Sequence, residues 1–339
     1  MKVRQRPSLK AMNTFGVAAT AGLLITVEGE EDVLELPAFD PGSDLVLGDG
    51  SNILLVGDVP GTVFHNRILG RTIVADDGET ALVEIGAGEN WHGLVRWTLD
   101  NGLCGLENLS LIPGSAGAAP IQNIGAYGVE LSSALDAVTA WDWQSAAWVS
   151  FDAEDCRLGY RDSLFRSTAP GRYLITSIRL RLGRRFHPQL GYAGLQDELA
   201  SRGIDRPSAR DVSEAVIRLR RRKLPDPAEI GNAGSFFKNP AVEAPLADRL
   251  LADHPDLPCW PAADGMIKLS AAWMIESCGL KGCRHGDAAV SERHALVLVN
   301  CGAASGAEIL ALARTVQGAV ADRFGVGLEP EPRVVEFTG

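Results

Sequence analysis

The chain has 339 residues, of which 46% are hydrophobic and 22% charged, as in an ordinary well-buried globular protein. That length exceeds what one hydrophobic core usually serves, so we expect two or three domains. The formal net charge of -11 argues against general nucleic-acid binding, because an acidic surface repels a polyphosphate, but it leaves room for a local basic pocket that binds one small anion.

The beginning of the chain superficially copies a secretory signal. Four basic residues precede a fairly apolar stretch, Val17–Val27. Thr20 and Thr26 interrupt this stretch, however, and the acidic cluster Glu28–Asp32 stands where small cleavage-site residues would be. We therefore expect no export, and no segment of the sequence is long enough to span a membrane.

Six cysteines are scattered along the chain without a Cys-X-X-Cys pair. Cys278 and Cys283, with His285 nearby, match no standard zinc spacing and have no obvious fourth ligand. We expect no metal site, and thiols that stay reduced and are mostly structural. Such cysteine usage suits a reducing cytosol, so the predicted location is cytoplasmic.

The first half of the chain reads as short strands separated by glycine turns. Six segments are rich in β-branched or aliphatic residues and bounded by turn formers: Asp44–Leu47, Ile53–Val56, Arg71–Ala75, Ala81–Ile85, Ala137–Trp141 and Tyr173–Leu182. A helix is predicted from Trp91 to about Asn101, ended by Gly102, which can adopt the left-handed C-terminal conformation.

The second half contains more helix. Ser208 or Asp211 can cap a helix that ends before Pro225. Three further elements are predicted: a helical stripe at Lys268–Cys278, a strand at Ala295–Asn300 and a long amphipathic helix at Ser305–Phe324. The pattern predicts an α+β chain whose smaller C-terminal half is hinged near residues 205–228.

Two glycine-rich segments are candidate ligand sites. The first, Leu47–Asn52, lies between two predicted strands, and its successive N–H groups can cradle phosphate oxygens. It lacks both the P-loop lysine and the third glycine of the dinucleotide fingerprint, so a plain strand-turn-strand connection is an equally open reading. The second runs from Gly105 to Gly128. Its many small residues suit a backbone pressed against a flat ligand, whereas a flexible surface loop would expose Leu109 and Ile112.

Taken in order, six segments that span nearly the whole chain resemble the signature of the type I UDP-N-acetylenolpyruvoylglucosamine reductases. These segments are Asn13–Gly16, Gly48–Leu54, Gly105–Leu131, Tyr160–Ser163, Gly231–Pro240 and Leu328–Arg333. Six ordered matches are far more specific than any one glycine motif.

The resemblance implies an FAD-binding domain of the vanillyl-alcohol-oxidase (PCMH) type in two subdomains, plus a C-terminal α+β substrate-binding domain. We place the first subdomain at 1–70, joined by 328–339, the second at 71–215 and the substrate-binding domain at 216–327. The implied activity is reduction of the enolpyruvyl group of a UDP-sugar by NADPH through FAD. The residues assigned to the cofactor are Gly48, Gly50, Ser51, Asn52, Pro113, Gly114, Ser115, Gly117, Ile121, Asn123, Ile124 and Gly125.

Such a reaction adds a hydride to the β-carbon of an enol ether and a proton to its α-carbon. The site must therefore hold a carboxylate, stabilise the charge that develops on it, and supply a proton. Arg161 can contact the carboxylate or the flavin. From its residue type alone, a structural ion pair with Asp155 or Asp162 is an equally good reading.

Ser235 and Glu331 complete the catalytic set that the resemblance implies. Ser235 lies in a run of small residues that reads as a turn, without the elbow motif of a hydrolase nucleophile, and a hydroxyl donates a proton well only when the resulting alkoxide is stabilised. The sequence alone does not choose between Glu329 and Glu331, because an extended run would place both on one side. The resemblance selects Glu331 as the acid.

A basic run from Arg218 to Lys223 ends the helix that precedes Pro225, where positive charge also suits the helix dipole. A solvated surface is the usual role of such runs. The resemblance nevertheless places seven residues at the substrate: Tyr160, Tyr192, Arg220, Lys223, Asn239, Lys281 and His294. Of these, Tyr192 lies on the loop 187–195, which is implied to close over the substrate.

The sequence departs from the family pattern at two places. His294 stands where type I members have glutamine, and an imidazole cannot copy an amide's paired donor and acceptor. Ala118 and Ala119 replace small polar residues of the flavin loop and so remove hydroxyl contacts. Both changes affect binding details and leave the predicted reaction intact.

Overall, we expect a monomeric flavoenzyme in which NADPH and the enolpyruvyl substrate take turns at one flavin face, with ping-pong kinetics and substrate inhibition. Two other functions are alternatives to this prediction. A related FAD oxidoreductase with another substrate would make Arg161, Ser235 and Glu331 incidental. A UDP-sugar-binding regulator would retain no flavin and would tolerate loss of the Ser235 hydroxyl.

Overall fold

The structure is a computed structural model that describes residues 1–192 and 194–337. Within these ranges the strands, in chain order, are β1 (Lys2–Gln5), β2 (Ala21–Val27), β3 (Leu45–Leu47), β4 (Ile53–Leu55), β5 (Val59–Asn66), β6 (Arg71–Asp76), β7 (Thr80–Gly86), β8 (Gly125–Ala126), β9 (Val129–Glu130), β10 (Leu135–Asp142), β11 (Ala147–Asp152), β12 (Tyr173–Gly183), β13 (Gly231–Ser235), β14 (Ala241–Val242), β15 (Cys259–Pro261), β16 (Ile267–Leu269), β17 (Arg284–His285), β18 (Ala288–Val290), β19 (Val297–Asn300) and β20 (Arg333–Val335).

The α-helices over the same ranges are α1 (Glu30–Leu34), α2 (Trp91–Asp100), α3 (Leu195–Ala200), α4 (Ala209–Lys223), α5 (Ala244–Asp253), α6 (Ala271–Ser277) and α7 (Gly306–Phe324). None of the helices in the described part of the chain has the length and apolar character needed to cross a membrane. The predicted mixture of helix and strand is confirmed.

Local signals located several elements well. All six strands predicted for the first half occur, as β3, β4, β6, β7, β10 and β12. Helix α2 begins after Asn90, whose side chain accepts the Gly93 N–H, and Gly102 follows it at φ +67°. The choice between Ser208 and Asp211 is settled by a reciprocal capping box, in which Ser208 is the N-cap and Asp211 its partner in the first turn.

The predicted helix over Lys268–Cys278 is wrong in its first part. Lys268 lies in β16, where it pairs with Ala241 on one side and Trp260 on the other, and α6 begins only after Ser270. Pairing with two distant strands therefore overrides the local helical pattern. Ser235 also differs from expectation, because it ends β13 beside β19 rather than lying in a turn.

The first structural unit carries the glycine turn, defined here as Gly48–Asn52. Its sheet has the order β1-β2-β5-β3, and the turn follows β3 directly. Strand β4, on the far side of the turn, pairs in parallel with β20, so that Arg333 lies opposite Ile53. The C-terminal segment thus returns to the edge of the turn.

The second unit is a five-stranded antiparallel sheet of order β11-β10-β12-β7-β6. Helix α2 and the glycine-rich segment pack on one face, and they bury side chains such as Trp91, Leu94 and Leu109 against Val83 and Ile178. The predicted glycine-rich segment is therefore part of a packed core and not a flexible surface loop.

The C-terminal unit consists of the sheet β13-β19-β18-β17, the small sheet β14-β16-β15 and helices α5–α7. Its core is continuous with that of the first unit, because Phe236 and Phe237 belong to the same buried cluster as Phe15 and Leu54. Helix α4 instead packs with α3 and Tyr127, beside the second unit.

One loop from the N-terminal segment, residues 13–16, joins the glycine turn to β13. Thr14 donates its N–H to the Gly50 carbonyl and accepts from the Asn232 N–H, each at 3.0 Å. The buried Asn13 side chain shapes this loop, since its amide donates to Leu9 O at 2.9 Å and Val17 O at 3.1 Å and accepts from Val17 N at 3.1 Å.

We expect Asn13→Ala to lower the free energy of unfolding by about 2 kcal/mol, because it leaves buried donors and acceptors without partners. Urea denaturation measures this loss. Asn101→Ala is the matched control, since the exposed Asn101 amide has a single partner, Trp97 O. Equal losses in the two variants would show that Asn13 does not organise the loop.

Candidate active site

The glycine turn presents backbone N–H groups rather than side chains. In the described residues, no backbone carbonyl accepts a hydrogen bond from the N–H groups of Gly48–Asn52. Gly50 has φ +64° and lies so close to the Met12 carbonyl that a Cβ would overlap it. Only glycine fits there, and the resulting run of N–H groups is the arrangement that binds an anion.

The second wall of the site is the glycine-rich loop, defined here as Pro113–Gly117. It is held like an added strand against residues 87–91: Trp91 N donates to Gly114 O at 2.9 Å, Ala116 N to Glu89 O at 2.7 Å and Gly117 N to Ala87 O at 2.8 Å. Glu89 is itself fixed by Arg71, whose Nε lies 2.7 Å from its carboxylate. The position of this loop is therefore set by the second sheet.

The glycine turn and the glycine-rich loop contact each other closely. Ser51 Oγ donates to Pro113 O at 3.0 Å. A Cβ at Gly48 would overlap the Ser115 hydroxyl, and one at Gly114 would lie 2.6 Å from Ser51 Oγ. Gly50, Gly114 and Ser115 are buried, and their N–H groups meet no backbone carbonyl in the described ranges. Buried N–H groups require an acceptor, and a diphosphate would supply several.

The loop that follows, 121–125, is shaped by Asn123, which adopts φ 44°. Its side chain donates to Glu130 Oε2 at 2.9 Å and to Gly159 O at 3.0 Å, and it accepts from Ser132 N at 2.9 Å. Asn123 and Ile124 are buried. The Asn123 side chain therefore holds the loop in shape, and Gly125 is the residue of this loop that approaches Arg161.

Arg161 and Glu331, predicted separately as catalytic, form an ion pair. Arg161 Nε lies 2.9 Å from Glu331 Oε1, and the two side chains are 17% and 15% exposed. Arg161 Nη2 also donates to Gly125 O at 2.8 Å. Over the described residues the ion pairs of the chain do not join Arg161 to Asp155 or Asp162, so that alternative reading is wrong.

Backbone pairing brings Glu331 next to Ser235. The Glu331 N–H donates to Phe236 O at 2.8 Å and the Lys238 N–H to Glu329 O at 3.0 Å. The Glu329 side chain is 75% exposed and binds Lys238 at 3.2 Å. The two glutamates thus face different surroundings, because the chain bends at Glu331 instead of continuing as a regular strand. Of the two, only Glu331 lies at the predicted site.

Tyr160 forms a platform beside this pair. The Arg161 guanidinium lies 5.2 Å from the Tyr160 ring centroid, and Lys268 Nζ lies 4.5 Å from it. Asn239, on the neighbouring segment, accepts the Ala271 N–H at 3.0 Å through its side-chain oxygen. Two cations on one aromatic ring favour an anionic ligand nearby.

The two cations of α4 that are predicted to bind substrate differ in exposure, since Arg220 is enclosed and Lys223 faces solvent. Arg220 Nε donates to Leu111 O at 3.2 Å, and burial lowers the Arg220 pKa, against the opposing effect of Tyr127 and Tyr192. Lys223 is exposed and lies 5.6 Å from the Tyr192 ring centroid. The rings of Tyr127 and Tyr192 make an edge contact at 4.8 Å. Tyr192 thus stands between the two cations.

His294 lies near both Lys223 and Lys281. Burial lowers the pKa of His294, and the nearby Lys223 and Lys281 charges lower it further. His294 Nδ1 accepts the Leu296 N–H at 3.3 Å, so Nε2 carries the proton of the neutral ring and can donate to a ligand. Lys281 pairs with Glu276 at 2.9 Å.

Four residues at the site were not selected from the sequence: Gln122, Tyr127, Arg166 and Lys268. Gln122 and Tyr127 belong to the quoted glycine-rich string, and their position inside it was the available signal. Arg166 and Lys268 gave none, because their contacts join segments that are distant in sequence. Among the described residues, no group of three or more His, Cys, Asp or Glu side chains is arranged to hold a metal ion.

The chain is similar to known proteins over nearly its whole length. Residues 226–335 match the family described as UDP-N-acetylenolpyruvoylglucosamine reductase, C-terminal domain, and residues 25–145 match an FAD binding domain. The UDP-N-acetylenolpyruvoylglucosamine reductase of an Azoarcus species is 54% identical over 332 residues, 96% of this chain and 95% of that protein. That of Chromobacterium violaceum is 49% identical over 99% of both chains. The solved reductase (MurB) of Thermus caldophilus superposes with a TM-score of 0.68 at 30% identity, covering 99% of this chain and 100% of the other.

We expect Arg220→Met to raise the free energy of unfolding by about 1 kcal/mol, because no carboxylate in the described residues pairs with this enclosed cation. Arg222→Met is the control on the same helix. Arg222 pairs at 2.5 Å with Glu198, which is 6% exposed, so its loss should cost about 1 kcal/mol. Urea denaturation without substrate measures both, and equal destabilisation would contradict a ligand-binding role for Arg220.

Proposed function

Because the chain belongs to the family of UDP-N-acetylenolpyruvoylglucosamine reductases, we propose that Arg161, Ser235 and Glu331 form its catalytic centre. The reaction is the NADPH-dependent, FAD-mediated reduction of UDP-N-acetylenolpyruvoylglucosamine to UDP-N-acetylmuramate in peptidoglycan precursor synthesis. The observation that carries the proposal is the Arg161–Glu331 ion pair, whose carboxylate partner is bonded through its backbone to the residue after Ser235.

The residues present fit FAD. The glycine turn and the glycine-rich loop offer buried N–H groups for its diphosphate, and glycine at positions 48 and 114 lets the two loops meet, because a Cβ there would overlap the Ser115 or Ser51 hydroxyl. When bound, FAD would supply the redox chemistry by which a hydride from NADPH reaches the β-carbon of the enol ether. The protein supplies position, charge and the proton.

Arg161 is proposed to hold the substrate carboxylate. Its guanidinium already donates to Glu331 through Nε and to Gly125 O through Nη2, and these two contacts fix the plane of the group. In the described residues the N–H bonds of Nη1 have no partner, so they can donate to a second carboxylate. As hydride reaches the β-carbon, negative charge spreads into the substrate carboxylate. A fixed cation stabilises that charge without reorganising, which lowers the barrier.

Ser235 is proposed to donate a proton to the α-carbon. Its hydroxyl gives up the proton only if the remaining alkoxide is stabilised, and Arg161 is proposed as the cation that stabilises it. Lys238, another candidate for that role, is engaged by Glu329. Glu331 is proposed to orient the substrate carboxyl group and the proton donor, since it is bonded both to Arg161 and to the backbone beside Ser235.

The nucleotide part of the substrate is proposed to lie along the cations of α4. Arg220 is the natural partner for the diphosphate, because it is enclosed and lacks a counter-ion in the described residues. Lys223 and Tyr192 would cover the diphosphate, and Lys281 with His294 would contact the uridine. Tyr160 and Asn239 are proposed to contact the sugar side of the substrate.

The remaining proposals concern the whole molecule. We propose three domains, formed by residues 1–70 with 328–339, by 71–215 and by 216–327. Helix α4 crosses the boundary at residue 215 and links the second domain to the third. We propose a cytoplasmic monomer in which NADPH and substrate alternate at one site. Ping-pong kinetics and inhibition by excess substrate follow from that alternation.

We predict that Ser235→Ala and Glu331→Gln leave reduction of the bound flavin by NADPH within about threefold but slow its reoxidation by substrate by roughly 100-fold or more, since both act only on the proton and the developing charge. Anaerobic stopped-flow absorbance separates the two half-reactions. Glu329→Gln is the matched control, two residues from Glu331 with an exposed carboxylate, and should behave as wild type. Normal reoxidation in the first two variants would overturn the assignment.

We also predict that Gly48→Ala raises the Kd for FAD at least about 10-fold, because the added methyl group forces the glycine turn away from Ser115. The double variant Gly48→Ala/Ser115→Ala removes the obstructing hydroxyl and should regain the affinity of Ser115→Ala alone. Fluorescence titration of flavin into cofactor-free protein gives these constants. Unchanged affinity in Gly48→Ala would show that contact between the two loops does not define the cofactor groove.

A further inference from the structure

We propose that Arg166 is a positioning residue that fixes Glu331 for the substrate half-reaction. The inference rests on the proposed role of Glu331 and deepens it, because Arg166 touches the backbone of the acid and not its carboxylate. Arg166 Nη2 donates to Glu331 O at 3.0 Å and lies 3.5 Å from Pro330 O, while Nη1 donates to Gln122 Oε1 at 3.1 Å.

Asn52 of the glycine turn binds the same two acceptors. Its side-chain amide donates to Gln122 Oε1 at 2.5 Å and to Glu331 O at 3.3 Å. Two donors and two acceptors therefore form a closed network that joins four segments of the chain. The Glu331 carbonyl accepts hydrogen bonds from both Arg166 and Asn52, which restrains the rotation of its peptide.

The segment that carries Arg166 is itself anchored to the cofactor loop. Arg166 lies on the short helical turn Leu164–Thr168, which begins after Ser163. Ser163 Oγ accepts the N–H groups of Phe165 at 3.1 Å and Arg166 at 3.3 Å, and it donates to Ile121 O at 2.6 Å. The guanidinium is therefore held relative to the loop 121–125 and not only to Glu331.

Glu331 is consequently held twice by one short segment. Arg161 binds its carboxylate, and Arg166, five residues later, binds its carbonyl. Asn52 and the Phe236 carbonyl also contact the Glu331 backbone, so Arg161 and Arg166 complete a set of contacts that restrains the side chain and the backbone at once. Reaction rates at such sites depend on the placement of the reacting groups to within about 1 Å. Loss of the Arg166 contact to the Glu331 carbonyl should therefore slow flavin reoxidation by substrate.

The charge of Arg166 is left uncompensated by these contacts. All its partners are neutral oxygens, and in the described ranges it forms no ion pair within 4.0 Å, unlike Arg172 on the following turn, which binds Asp142 at 2.7 Å. A neutral network of this kind needs the forked geometry of a guanidinium to reach two acceptors at once. Lysine, a compact charge on a flexible stem, can serve one of them at a time.

The test measures the two half-reactions of the FAD-loaded enzyme by anaerobic stopped flow in Arg166→Met, Arg166→Lys, Glu331→Gln and the double variant Arg166→Met/Glu331→Gln. We expect Arg166→Met to slow flavin reoxidation by substrate about 10- to 100-fold, with flavin reduction by NADPH within about threefold. Arg166→Lys should lose about threefold to tenfold, and guanidinium ion should restore part of the rate of Arg166→Met. The double variant should be no more than about twofold slower than Glu331→Gln, because Arg166 acts through that side chain.

Arg172→Met is the control for loss of an arginine that only supports the fold, and it should change thermal unfolding without changing either half-reaction. Equal slowing of both half-reactions by Arg166→Met, or additive losses in the double variant, would overturn the positioning role. If flavin reoxidation is slow in Glu331→Gln but normal in Arg166→Met, the role of Arg166 is wrong while the proposed catalytic site stands. If reoxidation is normal in Glu331→Gln, the proposed catalytic site itself is wrong. If Arg166→Met does not retain FAD, the same criteria are applied to Arg166→Lys and to the double variant Arg166→Lys/Glu331→Gln.

Discussion

The return of residues 329–335 to the middle of the molecule is the constraint on which the rest of the site depends. Strand β20 lies in parallel beside β4, directly after the glycine turn, and the Glu331 N–H is bonded to Phe236 O. Through these two contacts and the Arg161–Glu331 ion pair, one short run of chain joins the proposed cofactor groove, the proposed proton donor and Arg161. Without it, the three units would each present an incomplete part of the proposed site.

The proposed groove for the cofactor is built from backbone, and the proposed place for the substrate from side chains. Glycines at 48 and 114 bring two loops into close contact, and Gly50 packs against the Met12 carbonyl, so the N–H groups of the glycine turn are available to a ligand. The substrate side is instead lined by guanidinium, ammonium and aromatic groups. The difference follows from the ligands, since a diphosphate is recognised by a nest of N–H groups, whereas a carboxylate whose charge grows during reaction needs fixed full charges.

The sequence predicted what is local and missed what is distant. Ser208 and Ser305 locate the starts of α4 and α7 because a capping residue acts within one turn. The family signature directed attention to Arg161 and Glu331, but nothing in the residues indicated that they pair across 170 positions, nor that Glu329 turns to solvent. Lys268 reads as helix and folds as strand because two neighbouring strands take up its backbone. Arg166 carried no signal for the same reason, since its partners, Gln122 and Pro330–Glu331, come from two remote segments.

The shared core and the returning C-terminal run also set an order in time. Chains are synthesised at roughly 5 to 20 residues per second, so about 10 to 40 s separate the emergence of the loop 121–125 from that of β20. During this interval the second sheet can fold on the ribosome, while Gly48–Asn52 still lacks its neighbour and Phe236 lacks Glu331. The proposed catalytic site is therefore completed only after elongation has passed residue 335, once β20 pairs with β4 and Glu331 with Phe236.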